Sequence, residues 1–139
     1  MFETKFLATS AQPGSLNLVG SSILVDPNDY EGVLIAASTL SEDFAKVAGG
    51  NASPVVYDTS EGDIAIIIGS LTHSSIVKTL IQEKKIDVST IKDQWECYIT
   101  QLVENPFNGC SRALVIVGSD KRGTIFGTYT LSQQMGVSP

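Results

Sequence analysis

At 139 residues the chain has the size of one ordinary domain and is long enough to bury a hydrophobic core without disulfides or a metal. An apolar fraction of 42 % and a charged fraction of 17 % exclude a disordered chain. A formal net charge of −6, with cations no denser than the pairs Lys84-Lys85 and Lys121-Arg122, makes it a poor partner for nucleic acid, whose affinity rests on Lys and Arg against phosphate.

No stretch approaches the roughly 20 apolar residues of a membrane span, so no membrane partner is expected. The start, Met1-Phe2-Glu3-Thr4-Lys5-Phe6-Leu7, lacks the basic and long apolar regions of a signal peptide. Read literally this is an intracellular chain, with secretion of the native protein left open.

Residues 1–14 read as an irregular arm ending in the turn pair Pro13-Gly14, and Leu16 to Val25 as a first strand or short hairpin stopped by Asp26-Pro27-Asn28. A helix follows. Asn28 or Asp29 can cap it, Val33, Ala36, Ala37, Leu40, Phe44 and Val47 form one apolar stripe, and Gly49-Gly50 supplies the stop. Pro54 to Tyr57 is a short strand. Ile64 to Ile68 is a continuous apolar run, as expected of a central strand covered on both faces.

A second helix is predicted over 74–83, with Ile76, Val77, Leu80 and Ile81 as its buried stripe, and a polar loop over 84–94 around Ile86 and Val88. Trp95 to Thr100 alternates as a half-buried strand, with Trp95 read as core rather than as a sugar platform. Asn105 to Gly109 is turn chemistry, Ala113 to Val117 a second buried strand, and 121–135 the last helix, broken at Gly136.

A turn centred near Phe107 would set Cys110 opposite position 104 and Cys97 opposite position 117. The thiols would then lie roughly 20 Å apart at about 3.3 Å per strand residue. A disulfide needs Cα atoms within about 7 Å, so both cysteines are expected to be free.

The order β-α-β-β-α-β-β-α, with two hairpin-like pairs, predicts an α/β domain with an α+β tendency: a mixed sheet of about five strands with helices packed on it. Residues 64–68 and 113–117 are expected as inner strands. No repeat or internal boundary divides residues 1–139.

The chemistry-bearing residues are few. Gly118-Ser119-Asp120-Lys121-Arg122-Gly123 follows a strand and opens a helix but lacks the spacing of a phosphate loop, so no nucleotide or other cofactor is expected. His73 is the only histidine and is read as a cap or surface residue, since a metal site needs several ligands. No Gly-x-Ser-x-Gly elbow accompanies it. The clusters Glu42/Asp43 and Asp58/Glu61/Asp63 read as a helix face and a turn, not as carboxylates flanking a cleft. Asn51-Ala52-Ser53 matches a glycan acceptor, but Pro54 follows.

Asp120 sits where an N-cap belongs, whereas Lys121 and Arg122 oppose the helix dipole, which calls for a tertiary partner. Gly123 and Gly127 share one helix face and permit close approach to a neighbour, with Ile125, Phe126, Tyr129 and Leu131 around them.

Residues 113–139, above all Gly118-Ser119-Asp120-Lys121-Arg122-Gly123-Thr124-Ile125 and Gly136-Val137-Ser138-Pro139, resemble the segment that joins the N-terminal domain of family 115 α-glucuronidases to their catalytic barrel. Glu61 to Ser70 is compatible with the same family. The resemblance implies a non-catalytic N-terminal domain that buttresses a barrel following Pro139. The full-length glycoside hydrolase would remove glucuronic or 4-O-methyl-glucuronic acid side groups from xylan. No catalytic residue is carried over, because the family's catalytic acids lie in the barrel.

In this reading Gly118, Gly123, Phe126, Gly127 and Tyr129 form a structural motif. Ser119, Asp120, Lys121 and Arg122 are the candidate barrel-interface or substrate-binding residues: Lys121 and Arg122 would pair with acidic groups of the barrel, reach a glucuronate carboxylate of glucuronoxylan, or lie on solvated surface. The family also allows a homodimer of the full-length enzyme. The alternatives are a stand-alone carbohydrate- or protein-binding module and, behind it, a nucleotide-binding α/β protein.

Overall fold

The computed structural model describes residues 22–47, 55–56, 64–107 and 110–134. The expectations for the first arm, Gly49-Gly50, the 58–63 turn and the break at Gly136 lie outside the described residues. The elements are β1 (Ser22–Val25), α1 (Glu31–Val47), β2 (Val55–Val56), β3 (Ile64–Ser70), α2 (Ser75–Gln82), β4 (Tyr98–Phe107), β5 (Cys110–Gly118) and α3 (Lys121–Gln134).

They build one five-stranded sheet in the order β2-β1-β3-β5-β4. β1, β2, β3 and β5 run parallel, and β4 returns antiparallel along β5. As expected, residues 64–68 and 113–117 lie on inner strands. Of the two expected hairpins only β4–β5 forms. β2 and β3 are adjacent in sequence but not in the sheet, because β1 inserts between them.

The apolar runs are continuous because both faces of the sheet are covered. Ile23, Val25, Ile66, Ile68, Leu114 and Ile116 point to one face, where they pack with Val33, Ala37 and Leu40 of α1 and Leu131 of α3. Leu24, Ala65, Ile67, Ala113, Val115 and Val117 point to the other, against Val77 and Leu80 of α2. The register keeps equivalent residues side by side, with Ile23 beside Ile66 and Ile66 beside Leu114. The 84–94 loop contributes a third residue to this second core: Ile91 is buried along with Ile86.

α2 forms where its stripe and cap place it, with Val77 N–H donating to Oγ of Ser74 (3.2 Å). α1 departs from expectation at its start. The Tyr30 carbonyl accepts the first helical bonds, from Val33 and Leu34, while Asp29 accepts the Tyr30 N–H.

β4 also differs. It begins at Tyr98 rather than Trp95 and runs through Asn105-Pro106 to Phe107, an irregularity between Glu104 and Phe107 absorbing the extra residues. A proline is tolerated there because β4 is an edge strand. The register therefore pairs Cys110 with Phe107, not with 104, and Val117 with Ile99, not with Cys97. Nonetheless neither cysteine is in a disulfide; their thiols donate to the Trp95 and Arg112 carbonyls. None of the described helices is long and apolar enough to cross a membrane.

Candidate functional site

In open α/β sheets ligands bind outside the carboxyl ends of the strands, at the point where the strand order reverses. Here that point lies between β1 and β3, where two carboxylates of the chain itself are found. Asp26 follows β1 and is 3 % exposed; Asp29 opens the turn into α1 and is 6 % exposed. The N–H and Oγ of Ser75, the first residue of α2, donate to Asp26 Oδ2 at 2.7 and 2.6 Å. Asn28 N–H donates to Asp26 Oδ1 at 2.8 Å. Burial works to raise the Asp26 carboxyl, but the bonds from Ser75 and Asn28 together hold it below its ordinary value.

Asp29 is bound as fully. Its Oδ1 accepts from Tyr30 N–H and Ser70 Oγ, both at 2.8 Å, and its Oδ2 from Ser70 N–H at 3.0 Å. A helix N-terminus favours an anion through its free N–H groups and its dipole. At α2 the Asp26 carboxylate already occupies that position, so the chain fills its own anion site.

A shell of polar groups lies above this plug. His73 N–H donates to Ser70 Oγ (3.1 Å), the His73 ring lies tilted by 40° against Tyr30 with centroids 4.1 Å apart, and its Nδ1 lies 2.9 Å from Thr72 Oγ1. His73 is exposed, as expected. Among the described residues no group of three or more His, Cys, Asp or Glu side chains could hold a metal ion.

One strand over, the Gly118–Gly123 segment is pinned to the start of β4. Ser119 N–H donates to the Cys97 carbonyl (2.8 Å), and Cys97 N–H returns a bond to Ser119 Oγ (3.1 Å). Asp120 caps α3 as expected: Gly123 N–H donates to its Oδ1 (2.8 Å), while Glu96 N–H donates to its Oδ2 (3.0 Å). Lys121 and Arg122 are both exposed. Arg122 lies 3.6 Å from the Glu96 carboxylate, an ion pair within the domain. Lys121 lays its methylenes near Gly32 of α1.

The glycines serve close approach. A Cβ on Gly118 would sit 2.1 Å from Thr124 N, one on Gly123 2.1 Å from the Cys97 carbonyl, and one on Gly127 2.7 Å from Ile116 Cγ2. The glycine face therefore packs on this domain's own sheet. Leu131 is buried and Ile125 partly so, whereas Phe126 and Tyr129 are 50 % and 44 % exposed.

Trp95 corrects an expectation. It lies outside β4 and is 83 % exposed, not part of the core. The alternation that suggested a strand is broken by positive φ at Asp93 (64°) and Glu96 (55°), left-handed backbone that costs a non-glycine residue about 1 kcal/mol or more. A cavity of about 380 Å³ opens at the carboxyl ends of β3 and β5, and Gln94, the residue before Trp95, is part of its wall. Leu71, Ile81 and Val88 give it an apolar wall, and Thr72, Lys92, Asp93, Gln94 and Ser119 a polar one. Neither the cavity nor the Asp26/Asp29 plug was visible from sequence, where Asp26-Pro27-Asn28-Asp29 reads as an ordinary turn.

No family model matches the chain, and no curated protein matches it. Among solved structures it is similar to one described as a novel family GH115 4-O-methyl-α-glucuronidase with specificity for decorated arabinogalactans. The two share 26 % identity with a TM-score of 0.66 over 89 % of this chain. The chain spans only 14 % of that protein's length. The likeness is thus to one domain-sized portion of a glycoside hydrolase.

Proposed function

We propose that this chain is a non-catalytic domain of a glycoside hydrolase related to the GH115 α-glucuronidases, and that it buttresses the catalytic barrel. The observation that carries the reading is the match over 89 % of this chain to 14 % of such an enzyme. The geometry agrees with it. The crevice where this architecture usually takes a ligand is filled by Asp26 and Asp29, each bound within the domain. Carboxylates so engaged are poor candidates for the acid and base of a glycosidase, which must flank an open cleft.

In this reading the full-length enzyme hydrolyses glucuronic or 4-O-methyl-glucuronic acid side groups of a plant polysaccharide. Glucuronoxylan is one substrate. Decorated arabinogalactan, the preference of the similar enzyme, is the other. The exposed Phe126 and Tyr129, with the cations Lys121 and Arg122, make up the face assigned to the barrel.

The test is release of uronic acid from glucuronoxylan and from arabinogalactan by the 139-residue chain and by its natural reading frame. The expected result is no release by the chain alone and release by a protein extending several hundred residues further. Turnover by the purified chain, or a frame that ends near Pro139, would overturn the proposal.

A further inference from the structure

We infer that the cavity at the carboxyl ends of β3 and β5, together with the indole of Trp95, is a binding subsite for a pyranose unit of a glycan. The choice of ligand rests on the proposed membership of a polysaccharide-active enzyme; the site itself rests on four observations.

The first is position. Asp26 and Asp29 are engaged at the crevice between β1 and β3, and the cavity opens further along the same carboxyl edge, where α/β sheets take their ligands. The second is size. A volume of about 380 Å³ falls at the small end of the range for small-molecule sites, enough for one sugar ring and part of a second.

The third is lining. A sugar presents an apolar C–H face and a rim of hydroxyls. Leu71, Ile81 and Val88 suit the former, and Gln94, whose amide both donates and accepts, suits the latter. Ser119 Oγ accepts from Cys97 N–H and keeps a hydroxyl hydrogen to donate. Lys92 and Asp93 bring one charge of each sign, so the wall favours a neutral pyranose over a uronate or a phosphate.

The fourth is Trp95, the only tryptophan of the chain. An indole 83 % exposed offers a flat apolar face of the kind that stacks on a sugar ring. Its neighbour Gln94 lines the cavity, and Cys97, two residues on, is bonded to Ser119 of the same wall. The backbone that holds the indole in solvent is fixed from both sides. Gln94 N–H donates to the Ile91 carbonyl, and Glu96 N–H to Asp120 Oδ2. Left-handed φ at Asp93 and Glu96 brackets the pair Gln94-Trp95, and such backbone recurs at ligand sites.

Because Trp95 is the sole indole, its emission reports the site alone. The 139-residue chain is titrated with neutral oligosaccharides from arabinogalactan and from xylan, with galacturonate and phosphate as comparison ligands. The expected result is a saturable blue shift with one neutral family and none with phosphate. Calorimetry should show Trp95→Ala and Gln94→Ala binding about tenfold and severalfold more weakly, with unfolding midpoints unchanged.

No shift with any saccharide, or undiminished binding by both variants, would overturn the inference. So would a shift that needs no saccharide and grows with protein concentration, which would make Trp95 a contact between copies of the chain. None of these failures touches the uronic acid release experiment, so the two readings fall separately.

Discussion

Replacing Gly123 by alanine tests the packing of α3 most directly. An ideal Cβ there would lie 2.1 Å from the Cys97 carbonyl oxygen and 2.9 Å from Cys97 N. These are backbone atoms, and they cannot swing aside as a side-chain tip can. Either α3 lifts off the sheet, opening the core around Ile116 and Leu131, or Cys97 retreats and strains the Ser119 N–H bond to its carbonyl. Overpacking of this kind costs roughly 1–3 kcal/mol and a lost hydrogen bond about 1 more, while the better helix propensity of alanine returns about 1. The net expectation is a loss of about 2 kcal/mol, or a fall in Tm of roughly 6–8 °C for a domain of this size.

Gly32→Ala is the matched control. It lies in α1, and its Cβ would meet only side-chain tips, Ile125 Cδ1 at 3.1 Å and Lys121 Cδ at 3.7 Å. With the same propensity gain of up to about 1 kcal/mol and only side chains to displace, its stability should equal or slightly exceed the parent's. Urea unfolding followed by far-UV circular dichroism is the suitable assay, since Trp95 is already exposed and reports unfolding poorly. Equal midpoints for Gly123→Ala and Gly32→Ala would refute the account of the glycine face.

Gly127→Leu should also destabilise the chain, by roughly 1–3 kcal/mol, because even a Cβ there would lie 2.7 Å from Ile116 Cγ2; a neutral result in urea would place the helix differently. Asp26 is held below the ordinary aspartate value of 3.8, so its contribution to stability is complete above that pH and is lost as pH falls through the lower folded value. In acid titrations followed by circular dichroism, Asp26→Asn should therefore remove part of the stability at neutral pH and flatten the decline below about pH 4. Arg122→Ala should change the midpoint of the chain by no more than about 0.5 kcal/mol, because both members of its pair with Glu96 are well exposed.

The parts of the fold legible in the sequence are those decided locally or by burial on both faces. The run Ile64 to Ile68 could only be a covered strand, and Ser74 to Glu83 carries its own cap and stripe. Asp120 is a cap by the same logic. What escaped was decided by partners far along the chain. Nothing in Val55-Val56 says that β1 will separate it from β3, since two residues carry too little pattern to choose a neighbour. Asn105-Pro106 reads as a turn because edge and central strands cannot be told apart before the sheet exists. Trp95 alternates with its neighbours like a strand residue, and positive φ at Asp93 and Glu96, with Glu96 N–H bonded to Asp120 twenty-four residues away, turns the segment out of the strand. Asp29 is likewise committed to Ser70, forty-one residues on.

That long-range bond from Glu96 also answers the oddity of two cations in the first turn of α3. Lys121 and Arg122 oppose the helix dipole. Asp120, however, places a carboxylate on the same turn, shared between Gly123 N–H and Glu96 N–H, and the folded-back loop brings the Glu96 carboxylate to within 3.6 Å of Arg122. Two negative groups of the domain thus face the helix start, and an acidic partner is not needed to explain Arg122. Lys121 differs, because among the described residues no ion pair involves its ammonium. Of the two cations it is therefore the better candidate for contact with an acidic group outside the domain. If the proposed barrel contact runs through this turn, Lys121→Ala should weaken the association of the domain with the proposed longer enzyme more than Arg122→Ala does. Cross-linking or proteolytic protection of the longer protein would read the difference, and an equal effect of the two substitutions would remove the electrostatic argument for this face.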